Sequence, residues 1–162
     1  QIGLNSEVGV GTAFTVYLPK ASQPVVVTRR GATLSYRTGR VLFMDDDPKI
    51  SELTATMLKT LGYTCELATT GEEALALYKR YVKLGKPYYD VVIMDLTVVG
   101  GMGGEECFKE LVKLDPKVRA IVSSGYDNDD MARKYLEMGF CGYLTKPYRA
   151  AELGKRLKEV LG

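Results

Sequence analysis

Four apolar runs in this 162-residue chain end in a residue able to do polar chemistry. Val41-Leu42-Phe43-Met44 runs into Asp45-Asp46-Asp47, and Val91-Val92-Ile93-Met94 runs into Asp95. Val118 to Ser123 continues into Ser124-Gly125, and Cys141 to Thr145 into Lys146-Pro147. Taken singly, each has an ordinary explanation. Asp47 before Pro48 caps a helix, and Asp95 after a strand is a turn residue. Ser124 alone is a loop hydroxyl satisfying backbone, and Lys146 a surface lysine at a turn. The joint pattern is harder to explain that way. Clustered carboxylates repel unless a cation joins them, so Asp45, Asp46 and Asp95 together demand a divalent ion, a lysine, or both. Oxygen ligands in a chain without histidine point to magnesium or manganese.

The elements that must position these residues follow from the pattern around them. Uninterrupted apolar runs of four residues mark strands buried on both faces. Asp47-Pro48 starts a helix, with Ile50, Leu53, Met57, Leu58 and Leu61 at helical spacing and Gly62 as its stop. Tyr63 to Ala68 alternates as a second strand, and Thr70-Gly71-Glu72-Glu73 reads as a capping box leading into Leu75, Tyr78 and Val82. Phe108, Leu111 and Leu114 mark a third helix, and Met131, Tyr135, Leu136 and Met138 a fourth, ended by Gly139. Leu153, Leu157, Val160 and Leu161 lie on a last one. Five strand–helix units from Arg40 onward predict an α/β, doubly wound parallel sheet with helices on both faces and right-handed crossovers. Ligands bind such a sheet at the carboxyl ends of its strands. Neighbouring strands lie about 4.8 Å apart, which brings carboxylates on adjacent ends within reach of one ion.

Composition closes off other classes. The chain is 46% apolar and 26% charged, within the ordinary range for globular domains, and no stretch approaches the ~18 apolar residues of a membrane span. A net charge of +2 is too balanced for an electrostatic nucleic-acid binder. Cys65, Cys107 and Cys141 form no CxxC pair, which argues against a disulfide framework or cysteine zinc site and predicts a cytoplasmic setting. The absence of histidine excludes a Ser-His-Asp triad and a phosphohistidine made within this chain. Charge is uneven: residues 1–39 carry +3 and residues 40–162 carry −1. Turn formers around Ala21-Ser22-Gln23-Pro24 and Arg30-Gly31 predict a linker over 20–39, with Val25-Val26-Val27 as a short strand within it.

Residues 40–162 resemble the receiver domain of two-component response regulators. The resemblance rests on the acidic end of the first strand (41–48), Val91 to Leu96 as the phosphoacceptor strand, Ile121 to Gly125 as the switch-hydroxyl segment, and Tyr143 to Pro147 as the aromatic and lysine segment. It implies a flavodoxin-like three-layer (βα)5 sandwich with sheet order 2-1-3-4-5. It also implies that Asp95 accepts a phosphoryl group as an aspartyl phosphate, with Asp46, Asp95 and the Thr97 backbone carbonyl on Mg2+ (or Mn2+) and Asp45 holding a metal-bound water. Lys146 neutralises phosphoryl charge, and Ser124 bonds the arriving group while Tyr143 swings inward. Thr97 and Tyr126 stand where family members tune the phosphate's lifetime. One departure is visible: Val99 stands where the family commonly has proline, in a glycine-rich loop, 100–104, that reads about one residue longer than usual. A GxGxxG dinucleotide reading of that loop fails at Glu106.

Residues 1–19 alternate around Gly9-Val10-Gly11-Thr12 and predict a β-hairpin. The stretch also resembles the end of a histidine-kinase ATP-binding domain, through Ser6-Glu7-x-Gly9-x-Gly11-Thr12-x-Phe14 and a terminal Leu18-Pro19. That implies the tail of a hybrid sensor histidine kinase, with most nucleotide-binding residues upstream, so that this chain itself neither binds ATP usefully nor autophosphorylates. The implied partners are a phosphohistidine-bearing kinase domain, its own parent or one in trans, and a histidine phosphotransfer protein. Homodimerisation is left open, and neither nucleic acid nor membrane embedding is expected. The usual interaction face of the family would include Met138, Tyr143, Lys155 and Arg156 here. The rival reading is a Mg-dependent phosphohydrolase with Asp95 as nucleophile. Against it stand the lack of a substrate-binding insertion and Thr97 where a second carboxylate would be needed. A third, a docking module that is never phosphorylated, is opposed by the intact Asp95, Lys146 and Ser124.

Overall fold

The structure is a computed structural model that describes residues 2–9, 11–17, 39–82, 89–125 and 129–162, with 81–82 as backbone only. The chain divides into two units, Gln1–Thr33 and Leu34–Gly162.

In the first unit β1 (Ile2–Glu7) pairs antiparallel with β2 (Gly11–Val16). Gly9 and Gly11 take φ of +83° and +137°, a region that glycine enters without steric cost. Ile2 opposes Val16 and Leu4 opposes Phe14. All four side chains are exposed. The predicted hairpin is therefore present, with its cross-strand apolar pairs on the surface. The predicted linker lies outside the described residues up to residue 38, including the Val25–Val27 strand.

The second unit alternates strand and helix throughout: β3 (Arg40–Met44), α1 (Pro48–Thr60), β4 (Thr64–Ala68), α2 (Gly71–Val82), β5 (Val91–Asp95), α3 (Gly104–Leu114), β6 (Ala120–Ser124), α4 (Asp129–Glu137), β7 (Gly142–Thr145) and α5 (Ala150–Leu161). The strands form one parallel sheet in the order β4-β3-β5-β6-β7. Counted within this unit that is 2-1-3-4-5, the doubly wound order implied above. Strand and helix limits differ from the sequence reading by a residue or two: β4 starts at Thr64 rather than Tyr63, and β6 at Ala120 rather than Val118.

Successive strand residues face opposite ways, and each face has its own core. Leu42, Met44, Val92, Met94, Ala120 and Val122 pack with α2, α3 and α4 through Leu75, Tyr78, Phe108, Leu111 and Tyr135. Val41, Phe43, Val91, Ile93, Ile121 and Leu144 pack with α1 and α5 through Leu58, Leu61, Leu153 and Leu157. Removing a leucine side chain of this kind from water contributes about 1.5–3 kcal/mol, so both layers are held firmly. By the same parity Asp45, Asp95 and Ser123 belong to the α1–α5 face, and Ser124 to the other.

Helix starts place the loops at the sheet's carboxyl edge. The Asp47 carboxylate accepts from the Lys49 N–H at 2.8 Å, with Pro48 opening α1, and Gly62 takes a φ of +88° beyond its end. At α2 the predicted capping box is shifted. The Thr70 hydroxyl accepts from the Glu73 N–H at 3.4 Å, but the Glu73 carboxylate reaches back to the N–H and hydroxyl of Thr69 rather than to Thr70.

Candidate functional site

The acids predicted from the strand ends do meet. Asp45, Asp46 and Asp95 offer carboxylate oxygens that all lie within 4.8 Å of one another. β3 and β5 are neighbours, with Met44 opposite Met94, so their ends deliver Asp45 and Asp95 side by side.

Lys146 joins the cluster from β7. Its Nζ lies 2.6 Å from Asp45 Oδ2 and 3.0 Å from Asp95 Oδ2. Its backbone N–H donates to the Ser124 carbonyl at 2.7 Å, which anchors the residue to the end of β6. Asp45 is 1% exposed and fully engaged. Besides Lys146, it accepts from the Asp47 N–H at 3.0 Å, and its own carbonyl accepts from the Ser51 hydroxyl at 3.2 Å. Asp46 Oδ2 accepts from the Val99 N–H at 3.1 Å.

The electrostatics follow from this crowding. Burial pushes the Asp95 carboxyl above the ordinary aspartate range, with Asp45 adding to it. Lys146 and the Thr97 backbone pull the other way without offsetting the burial. Burial works against the Lys146 ammonium, yet its hydrogen bonds and charge pairing with Asp45 and Asp95 win, and its pKa sits above the usual lysine range. A site that disfavours a second charge at Asp95 is one that a divalent cation would relieve. The donor set is all oxygen, from closely spaced carboxylates, and fits a hard ion such as Mg2+.

The remaining predicted residues are distributed as follows. Ser124 is buried at the end of β6, and Thr97 is exposed in the loop after β5. Tyr143, which the resemblance has swing inward, is 8% exposed and stacked on Tyr135 of α4, ring centroids 6.5 Å apart. The reason is packing: Tyr135 and Phe140 form an aromatic cluster on that face, and Tyr143 completes it. Tyr126 lies outside the described residues.

The loop from Leu96 to Gly103 folds back on the end of β5. A Cβ at Gly103 would collide with the Leu96 carbonyl, and one at Gly104 would sit 2.5 Å from the Asp95 carbonyl oxygen. The loop is also tied to α2: both carboxylate oxygens of Glu72 accept from the Met102 N–H at 3.0 and 3.1 Å, and the Gly71 N–H donates to the Met102 carbonyl at 2.8 Å. Sequence reading missed Glu72, treating it as part of a helix cap. It also missed Tyr148, whose hydroxyl shares a hydrogen bond with Thr54 Oγ1 at 3.0 Å. Neither contact leaves a local signal, since the partners are 30 and 94 residues apart.

Residues 41–158 match the family described as the response regulator receiver domain. Over 97% of its length the chain is 31% identical to the sensor kinase CckA of Brucella abortus, of which it spans 17%. It is 30% identical to the chemotaxis protein CheY of Thermotoga maritima, over 75% of this chain and 96% of that one. Among solved structures it resembles the CheX–CheY–BeF3–Mg2+ complex of Borrelia burgdorferi, with a TM-score of 0.70 at 25% identity over 76% of this chain and 90% of the other. These likenesses do not favour the phosphohydrolase reading. With the doubly wound sheet, the three acids at its carboxyl edge and Lys146 between them, the chain belongs to the response regulator receiver domain family.

Proposed function

We propose that residues 40–162 accept a phosphoryl group on Asp95 in a two-component phosphorelay. The observation that carries this reading is the position of Lys146 Nζ between Asp45 and Asp95, beside a third carboxylate, Asp46. An Asp95 carboxylate oxygen attacks phosphorus, and the bond from phosphorus to the donor nitrogen or oxygen breaks with its electron pair leaving on the donor. Lys146 is placed to follow the transferred oxygens, exchanging part of its attraction to Asp95 for the phosphoryl charge. Asp46, Asp95 and the Thr97 carbonyl would hold Mg2+, with Asp45 on a metal-bound water. When bound, the ion would supply positive charge to the transferred phosphoryl oxygens. Ser124 would take a phosphoryl oxygen, and Thr97 and Tyr126 would set the lifetime of the product.

The donor is a phosphohistidine, on the parent chain or in trans, and a histidine phosphotransfer protein would take the group onward. The likeness to a sensor kinase over nearly the whole chain, hairpin included, supports a hybrid-kinase parent. The exposed apolar face of β1–β2 suits the last strands of a kinase ATP-binding domain. A cytoplasmic location follows from this role.

Intact mass after incubation with acetyl phosphate tests the reading. One added phosphoryl group is expected that requires Mg2+, disappears in Asp95→Asn, and forms on the order of a hundredfold more slowly in Lys146→Met. An adduct that persists in Asp95→Asn, or that needs no divalent ion, would exclude it.

A further inference from the structure

The α1–α5 face of the sheet carries a set of buried hydroxyls directly below the acid cluster. Ser51, Thr54 and Ser123 are all buried, and Tyr148 packs against the same apolar layer. A buried hydroxyl without a partner is costly, so each contact is informative. Ser51 donates to the Asp45 carbonyl. One helical turn on, Thr54 shares its hydrogen bond with the Tyr148 hydroxyl at 3.0 Å. The Ser123 hydroxyl, beside Tyr148, closes no bond of ordinary geometry among the described residues. Burial raises the Tyr148 phenol above the ordinary tyrosine range, which keeps it neutral.

A phenylalanine at 148 would fill this space equally well and would leave Thr54 unpaired. What the hydroxyl adds is a tie between α1 and the segment leaving Lys146. That segment is then held at both ends. On one side the Lys146 N–H is bound to the Ser124 carbonyl on β6. Two residues on, Tyr148 is bound to α1. The same helix holds Asp45 through Ser51, so both partners of the 2.6 Å ion pair are referenced to one rigid element.

We propose that Tyr148 is a positioning residue for Lys146, its hydroxyl locking the lysine segment to Thr54 on the helix that also holds Asp45 through Ser51. Its effect on rate rests on the phosphoacceptor reading; its effect on Lys146 does not. The test uses the 162-residue chain with Tyr148→Phe, Thr54→Val and the double variant. Three quantities are read: the rate of phosphoryl adduct formation from acetyl phosphate with Mg2+, the thermal midpoint, and the 15N ammonium signal of Lys146, assigned by its loss in Lys146→Met. Tyr148→Phe is expected to slow the adduct on the order of tenfold, because small misplacement of a charged group is costly in rate. The double variant, which removes both hydroxyls of the Thr54–Tyr148 pair, is expected to regain most of the midpoint while staying slow. The Lys146 ammonium signal, sharp where ion pairing slows exchange, is expected to broaden in both. A double variant that regains rate together with midpoint, or a Lys146 signal unchanged in Tyr148→Phe, overturns the proposal. If the unaltered chain takes no phosphate, the phosphoacceptor reading fails, and the ammonium signal alone decides the role of Tyr148.

Discussion

The backbone N–H of Val99 donates to Asp46 Oδ2 at 3.1 Å, so the loop leaving β5 is tied to the carboxylate that follows β3. The family's usual residue at this position, proline, has no N–H. Valine at this position therefore makes a hydrogen bond at the site that proline could not.

An ionised carboxylate has lone pairs enough for both an N–H and a cation. Mg2+ is accordingly expected to stabilise the chain, by about 2.7 kcal/mol at a hundredfold excess over its dissociation constant. The gain should vanish in Asp46→Asn and in Asp95→Asn. Calorimetric melting with and without Mg2+ checks this. Equal gains in the Asp46 variant would remove that residue from the metal set.

Glu72 holds the same loop from the other side. Its carboxyl lies below the usual glutamate range, chiefly because the Met102 N–H donates to it. A carboxyl lowered in the folded state contributes stability above its unfolded pKa and loses it as pH falls through the folded value. Hydrogen exchange at Met102 is expected to stay slow at neutral pH and to quicken, relative to its intrinsic rate, below the ordinary glutamate range. In Glu72→Ala it should be fast at both. A Met102 amide indifferent to that substitution would show that the Gly71 contact alone holds the loop.

Two glycines separate a rigid clash from a yielding one. At Gly104 a Cβ would press on the Asp95 carbonyl oxygen, which is backbone, while at Gly142 it would meet Arg156 Cδ at 2.7 Å, the middle of a flexible chain. Gly104→Ala is expected to cost about 1–3 kcal/mol and to slow phosphorylation, and Gly142→Ala to cost less. Urea unfolding of both variants reads the difference, and similar losses would mean that the β5 end yields as readily as a side chain.

The cysteines should also separate. Burial pushes the Cys107 thiol up to about 12, and burial with the neighbouring Glu66 does the same to Cys65. Cys141 is exposed. Since the thiolate is the reacting form, a chromogenic disulfide at pH 8 is expected to find one fast thiol in the native chain and three after unfolding. Cys141→Ser should abolish the fast one, and a fast reaction surviving that change would place the accessible thiol elsewhere.

Much of this molecule is legible without coordinates because its signals are local. Apolar runs such as 91–94 and helical spacings such as Leu153 and Leu157 state burial directly, and strand parity sends Asp45 and Asp95 to one face and one edge. Which hydrogen bonds then form there is a different matter. The short reach of Lys146 to Asp45, the Val99 tie to Asp46, the Glu72 hold on Met102 and the Thr54–Tyr148 bond join residues 30 to 101 positions apart. Each depends on strand order and on how a loop closes. Tyr143 shows the same limit: its type was readable, but its inward seat is set by Tyr135 and Phe140 packing from α4 and its end. A sequence pattern records which side of an element meets the core. The partner that a polar atom finds is decided only when separate elements are brought within 3 Å or so, the distance over which hydrogen bonds act.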